Sequence, residues 1–111
     1  MDNSLKESLD HANKMKVFNN QLRLLKEKYL ERNIYFTVVH QFKIDLKLIN
    51  YCITLKNQNK IKDVIMLDDY DLPVRIDDLQ SFYDNIMDLY QQNLNAYIVE
   101  YNKLVQDKGR I

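Results

Sequence analysis

One glycine, one proline, one cysteine and no tryptophan stand among 111 residues, and the glycine, Gly109, lies at the far end of the sequence. Loops that cradle a phosphate need glycine, because the backbone must come close to the ligand and adopt positive φ. A Walker loop and a Rossmann fingerprint are therefore excluded, and with them the common nucleotide-binding enzymes. Turns have to draw on asparagine, which tolerates the left-handed region. A lone Cys52 forms neither an internal disulfide nor a cysteine zinc site, which points to a reducing, cytoplasmic setting. No apolar run approaches the ~20 residues of a membrane-spanning helix. The opening Met1–Glu7 holds no apolar stretch, so no secretory signal is expected. Alanine is also scarce while Asn, Lys, Ile and Tyr are abundant, the bias of an AT-rich genome, as of an AT-rich bacterium or its phage.

Hydrophobic residues make up 46% of the chain and aromatics 11%, enough for one packed interior and against intrinsic disorder. A single domain over 1–111 is expected. Ser4 and Glu7 have capping-box spacing at the start of a first helix, about 5–32. Met15, Phe18, Leu22, Leu25 and Tyr29 step by three and four along it, a coiled-coil-like stripe, and Asn33 can close it as a left-handed cap. Ile34-Tyr35-Phe36-Thr37-Val38-Val39 is β-branched and aromatic, and reads as a buried strand over about 34–40. Asp45 is placed to cap a second helix, about 45–57, which Asn57-Gln58-Asn59 ends. Val64–Leu67 reads as another strand, about 63–67, and strand–helix–strand over this length suggests a right-handed parallel crossover. Asp68–Pro73 reads as a turn. Asp77, with Gln80 three residues on, marks a last helix over about 77–107.

That last helix is apolar at Leu79, Phe82, Tyr83, Ile86, Leu89, Tyr90, Leu94, Tyr97, Ile98, Tyr101, Leu104 and Val105, a face too wide for one neighbour. The fold expected is mainly α with minor β: two long helices packed together with a small β-α-β insert between them. An all-α helical bundle is the alternative.

Net charge is zero, but the charges are sorted. Residues 12–62 hold eleven Lys/Arg against three Asp/Glu, whereas residues 63–100 hold nine acids against Arg75. Acidic and basic elements facing each other, within one fold or across a dimer, would explain this. Two alternatives are a nucleic-acid-binding accessory protein using Lys14, Lys16, Arg23, Lys26, Lys28 and Arg32, and a small inhibitor presenting the acidic 63–100 surface.

No reactive centre is expected. Asp68, Asp69, Asp71, Asp77 and Asp78 form the one carboxylate cluster, but turn and cap roles account for several of them, and the EF-hand glycine and glutamate are missing. A metal-dependent hydrolase stays only as a remote alternative. His11 and His40 belong to no zinc pattern, His40 reads as a hydrogen-bonded strand-end residue rather than a general base, and Cys52 reads as a small core side chain. No cofactor, metal, membrane or small-molecule ligand is expected. The function expected is a non-enzymatic protein–protein interaction or assembly protein, a homo-oligomer or a subunit of a larger complex. Its candidate contacts are Phe82, Tyr83, Ile86, Tyr90, Leu94, Tyr97, Tyr101, Phe18, Leu22 and Leu25.

Overall fold

Where apolar residues step by three and four, the chain is helical, and two such stretches dominate it. The computed structural model describes residues 3–109, with side chains through 107; Met1 and Asp2 of the opening polar run lie outside the described residues. Helix α1 spans Asn3–Arg32, β1 Ile34–Phe36, β2 Gln41–Lys43, α2 Leu46–Asn57, β3 Lys62–Leu67, β4 Pro73–Asp78 and α3 Leu79–Gly109. The protein is mainly α with minor β, and the long helices α1 and α3 pack together with the smaller elements between them in sequence.

Five details differ from the sequence reading, the last of them at Asn33. The strands form two antiparallel hairpins, not a parallel crossover: β1 pairs with β2 (Tyr35 opposite Phe42) and β3 with β4 (Ile65 opposite Arg75). Each hairpin satisfies its backbone locally, without the long crossover that a parallel pair needs. The run 34–40 is not one buried strand. It reverses at Thr37, whose amide donates to the His40 carbonyl at 2.9 Å, leaving Phe36, Val38 and Val39 exposed. Helix α1 already runs through Ser4, so Ser4 is not its cap. The cap of α3 is Asp78 rather than Asp77: one Asp78 oxygen accepts from the amides of Gln80 and Ser81, the other from the Ser81 hydroxyl.

Asn33 ends α1 by another route than a left-handed cap. Positive φ occurs at Asn59, Asp63 and Asp71, not at Asn33. Instead the buried Asn33 amide donates to the Leu30 carbonyl, and Asn93 of α3 donates to both the Arg32 carbonyl and Asn33 Oδ1, at 2.9 and 2.8 Å. Orphan groups at the helix end are thus met by the neighbouring helix. Asp45 caps α2 as its sequence suggests, accepting from the Leu48 amide at 2.9 Å. At the other end Asn59 takes φ 58, the Lys60 amide donates to Leu55 and the Asn59 amide to Lys56, which is a Schellman ending with asparagine in place of glycine.

The molecule is long, 70 × 24 × 24 Å, with a radius of gyration of 20.8 Å, against the ~13 Å of a compact chain this size. Its core lies in a head formed by both hairpins, α2 and the first half of α3, where Phe42, Ile44, Ile49, Cys52, Leu55, Val64, Met66, Ile76, Leu79, Phe82 and Ile86 are buried together. The Phe82 ring takes Phe42 and Tyr35 edge-on at 5.2 and 5.7 Å. Beyond the head, α3 runs antiparallel along α1: Tyr29 meets Tyr97, Lys28 meets Glu100 and Asn93 meets Arg32. That pairing brings the last turn of α3 level with α1 residues ~16–19, at ~1.5 Å rise for each helix. Residues 3–14 of α1 continue past it and are exposed throughout.

Candidate interaction surface

The loop joining β3 to β4 holds the aspartates, and the fold uses them as ties. Asp68 Oδ1 accepts from the amides of Tyr70 and Leu72, and Oδ2 lies 2.7 Å from His40 Nδ1. Asp69 accepts from the Lys43 amide and the Gln41 side chain, and its own amide donates to the Gln41 carbonyl. The loop thereby clamps the second hairpin onto the edge of the first. Burial works against ionising Asp68, but the His40 bond and the two amides outweigh it and hold the carboxyl below its usual range. His40 Nδ1 is occupied by this carboxylate. Among the described residues, no three His, Cys, Asp or Glu side chains converge as metal ligands would. Burial pushes the Cys52 thiol up to about 11, slightly opposed by Lys56, so it stays protonated at neutral pH.

The residues singled out as contacts fall into three groups. Phe82 and Ile86 are buried in the head, with Tyr83 and Tyr90 packed at its edge and Lys56 4.2 Å above the Tyr83 ring. Phe18, Leu22 and Leu25 face the α1–α3 seam, where Leu25 is buried and the other two half-buried. Tyr97 closes on Tyr29 with ring centroids 4.5 Å apart. Burial raises the Tyr29 hydroxyl pKa; the Asn33 hydrogen bond opposes this, and Tyr90 and Tyr97 add to it. Leu94 is half-buried and Tyr101 exposed.

The wide apolar face of α3 is therefore shared. One part meets α1. The part beside it keeps Ile98, Tyr101 and Val105 at 51%, 41% and 43% exposure. The opposite edge of the seam is charged: Glu100 Oε1 takes Lys28 at 3.0 Å and Arg32 at 3.5 Å. The Lys28 hydrogen bond is the main reason the Glu100 carboxyl sits below its usual range, against burial and helped by the charges of Lys28 and Arg32. One acid of the acidic half, Glu100, thus meets basic α1 within one copy. Arg23 is held by Glu27 and Asn20, both at 2.8 Å, so three of the six basic candidates are engaged inside the chain; Lys14, Lys16 and Lys26 stand exposed on α1.

A cavity of about 530 Å³ lies between α1 and the last described turns of α3, lined by Met15, Val17, Phe18 and Leu104 and, on its polar side, by His11, Lys14 and Asp107. At the head, the exposed Phe36, Val38 and Val39 form an apolar hairpin tip that the strand reading missed. The missing signal is turn chemistry, since a Val-Val pair lacks the Asn-Gly mark of a tight hairpin. Among the described residues, no helix is long and apolar enough to cross a membrane. Comparison of the chain with protein-family models, with curated proteins and with solved structures gives no match.

Proposed function

We propose that this protein is a non-enzymatic docking module, a part of a homo-oligomer or of a larger complex, that meets another protein chain through the helical stalk. The observation that carries this reading is the apolar strip Ile98, Tyr101 and Val105, left in solvent on a helix pair that projects from the head. A contiguous apolar strip framed by polar side chains marks an interaction site, and tyrosine is enriched at such sites. His40 and Cys52, two side chains with catalytic potential, serve the fold instead: the His40–Asp68 pair ties two hairpins, and Cys52 is buried as a thiol. Nucleic acid is the less favoured ligand, because Lys28 and Arg32 are drawn to Glu100 and Arg23 to Glu27, leaving three of the six basic candidates for a phosphate backbone.

The test compares wild type with an Ile98→Glu, Tyr101→Glu variant, read by sedimentation and by capture from extracts of the source cell. The wild type is expected to exceed the mass of one chain or to retain a partner, and the variant to do neither. A wild type that stays a single chain and retains nothing overturns the reading.

A further inference from the structure

The stalk is one layer of two helices, and its two faces differ. Lys28, Arg32 and Glu100 meet on one face. On the other side of the α3 seam, Leu94, Ile98, Tyr101 and Val105 recur at steps of four, three and four, the spacing of a single helix face. At 3.6 residues per turn, the side of α1 that continues this face carries Leu22, Lys26 and Leu30, away from Lys28. Leu30, Ile98, Tyr101 and Val105 are exposed, and Leu22 and Leu94 half-buried. Lys26 is the one charge in this set; Arg23, which borders it on α1, is paired with Glu27 at 2.8 Å, and Gln91, Asn95 and Asn102 beside it on α3 are uncharged.

A helix layer that is apolar on one face is stable when a second layer covers it. We infer that a second copy of this chain supplies that layer, the two stalks closing apolar face to apolar face as a four-helix bundle about a two-fold axis. The inference rests on the docking reading and names its partner. Charge argues for a second copy. The face carries one unpaired cation per copy, Lys26, so two identical faces meet with little like-charge repulsion, while Lys28, Arg32 and Glu100 on the other face are joined inside each copy. Area argues the same way. The paired part of the stalk is ~25 Å long and ~20–24 Å across, from the helix rise and diameter. It therefore offers ~500–600 Å² in projection, above the ~400 Å² per partner of incidental contacts and below the ~800 Å² of a standard interface, the range of a pair that dissociates on dilution. A self-complementary patch on each copy is what a two-fold dimer requires, and the antiparallel four-helix bundle is its natural helical form.

Sedimentation across a dilution series tests it, with circular dichroism confirming that each variant keeps its helices. Wild type is expected at twice the chain mass, falling to one chain on dilution. Ile98→Glu with Val105→Glu is expected to shift it to one chain at every concentration, and Tyr101→Lys alone to weaken pairing at least tenfold. Val17→Glu with Leu24→Glu, on the side of α1 that carries Lys28, is expected to leave the pair intact. The proposal is overturned if wild type never exceeds one chain, if the Ile98 and Val105 variant stays paired, or if the Val17 and Leu24 variant comes apart. A single-chain wild type that still retains a foreign protein through Ile98 and Tyr101 would overturn self-pairing and leave the docking reading standing.

Discussion

Asp68 ties the head together, because its two oxygens hold a loop, a histidine and, through that loop, the contact between both hairpins. Its folded pKa is depressed, so its contribution is complete above the ordinary carboxyl value of about 4 and is lost as pH falls through the lower folded value. Asp78 and Glu100 are shifted the same way and add to acid lability. The difference between wild type and Asp68→Asn isolates the first of these. The variant is expected to melt lower at neutral pH, with the gap narrowing once the pH drops below about 4, where the unfolded chain takes up the proton, and closing only through the lower folded value, where folded Asp68 is neutral too. A gap that stays constant as the pH falls well below about 4 would refute the tie. Cys52 gives a second test at this scale. Its buried thiol, raised to about 11, is expected to resist alkylation at neutral pH until the head unfolds, so mass spectrometry should show modification tracking global unfolding.

At the scale of elements, a chain with almost no glycine has to place other residues in left-handed backbone, and Asn59, Asp63 and Asp71 do so. Asn59 is the sharpest case because two Schellman hydrogen bonds depend on it. Asn59→Ala is expected to cost ~1–2 kcal/mol through the Cβ clash, while Asn59→Gly should be neutral or slightly stabilising, both read from urea midpoints. Asn93→Ala is expected to cost ~1–3 kcal/mol, since it strips Asn33 Oδ1 and the Arg32 carbonyl of their donor. The elements legible from sequence were those with long periodicity. The seam Met15, Phe18, Leu22, Leu25 and Tyr29 is the partly buried side of α1, and the excess width of the α3 stripe is the strip that α1 leaves uncovered. The hairpins were not legible. β4 begins on Pro73 and ends on Asp77-Asp78, residue types depleted from strands. The β1–β2 turn uses two valines instead of asparagine and glycine. The neck was hidden because Asn33 and Asn93 are sixty residues apart, and only tertiary packing pairs them.

At the scale of the whole molecule, stability is graded along its length, and the grading follows from what each stretch buries. The head buries eleven apolar side chains in one cluster, whereas α1 buries only Leu25. Ile86→Ala in the head should therefore cost ~2–5 kcal/mol by leaving a cavity, while Leu22→Ala in the half-buried seam should cost much less. The first residues of α1 bury least, and a helix of about a dozen residues without packing is marginal in water. Amide hydrogen exchange should accordingly be fastest in residues 3–14, intermediate along the stalk and slowest in α2 and the first half of α3. The intermediate class carries the discriminating information. If two stalks close on one another, amides around Leu22–Leu30 and Leu94–Val105 should slow as concentration rises, while exchange in the head stays constant. Protection in the stalk that is already equal to the head in a dilute single chain would mean that α1 and α3 suffice for each other, and the exposed strip of α3 would lose its claim to a partner.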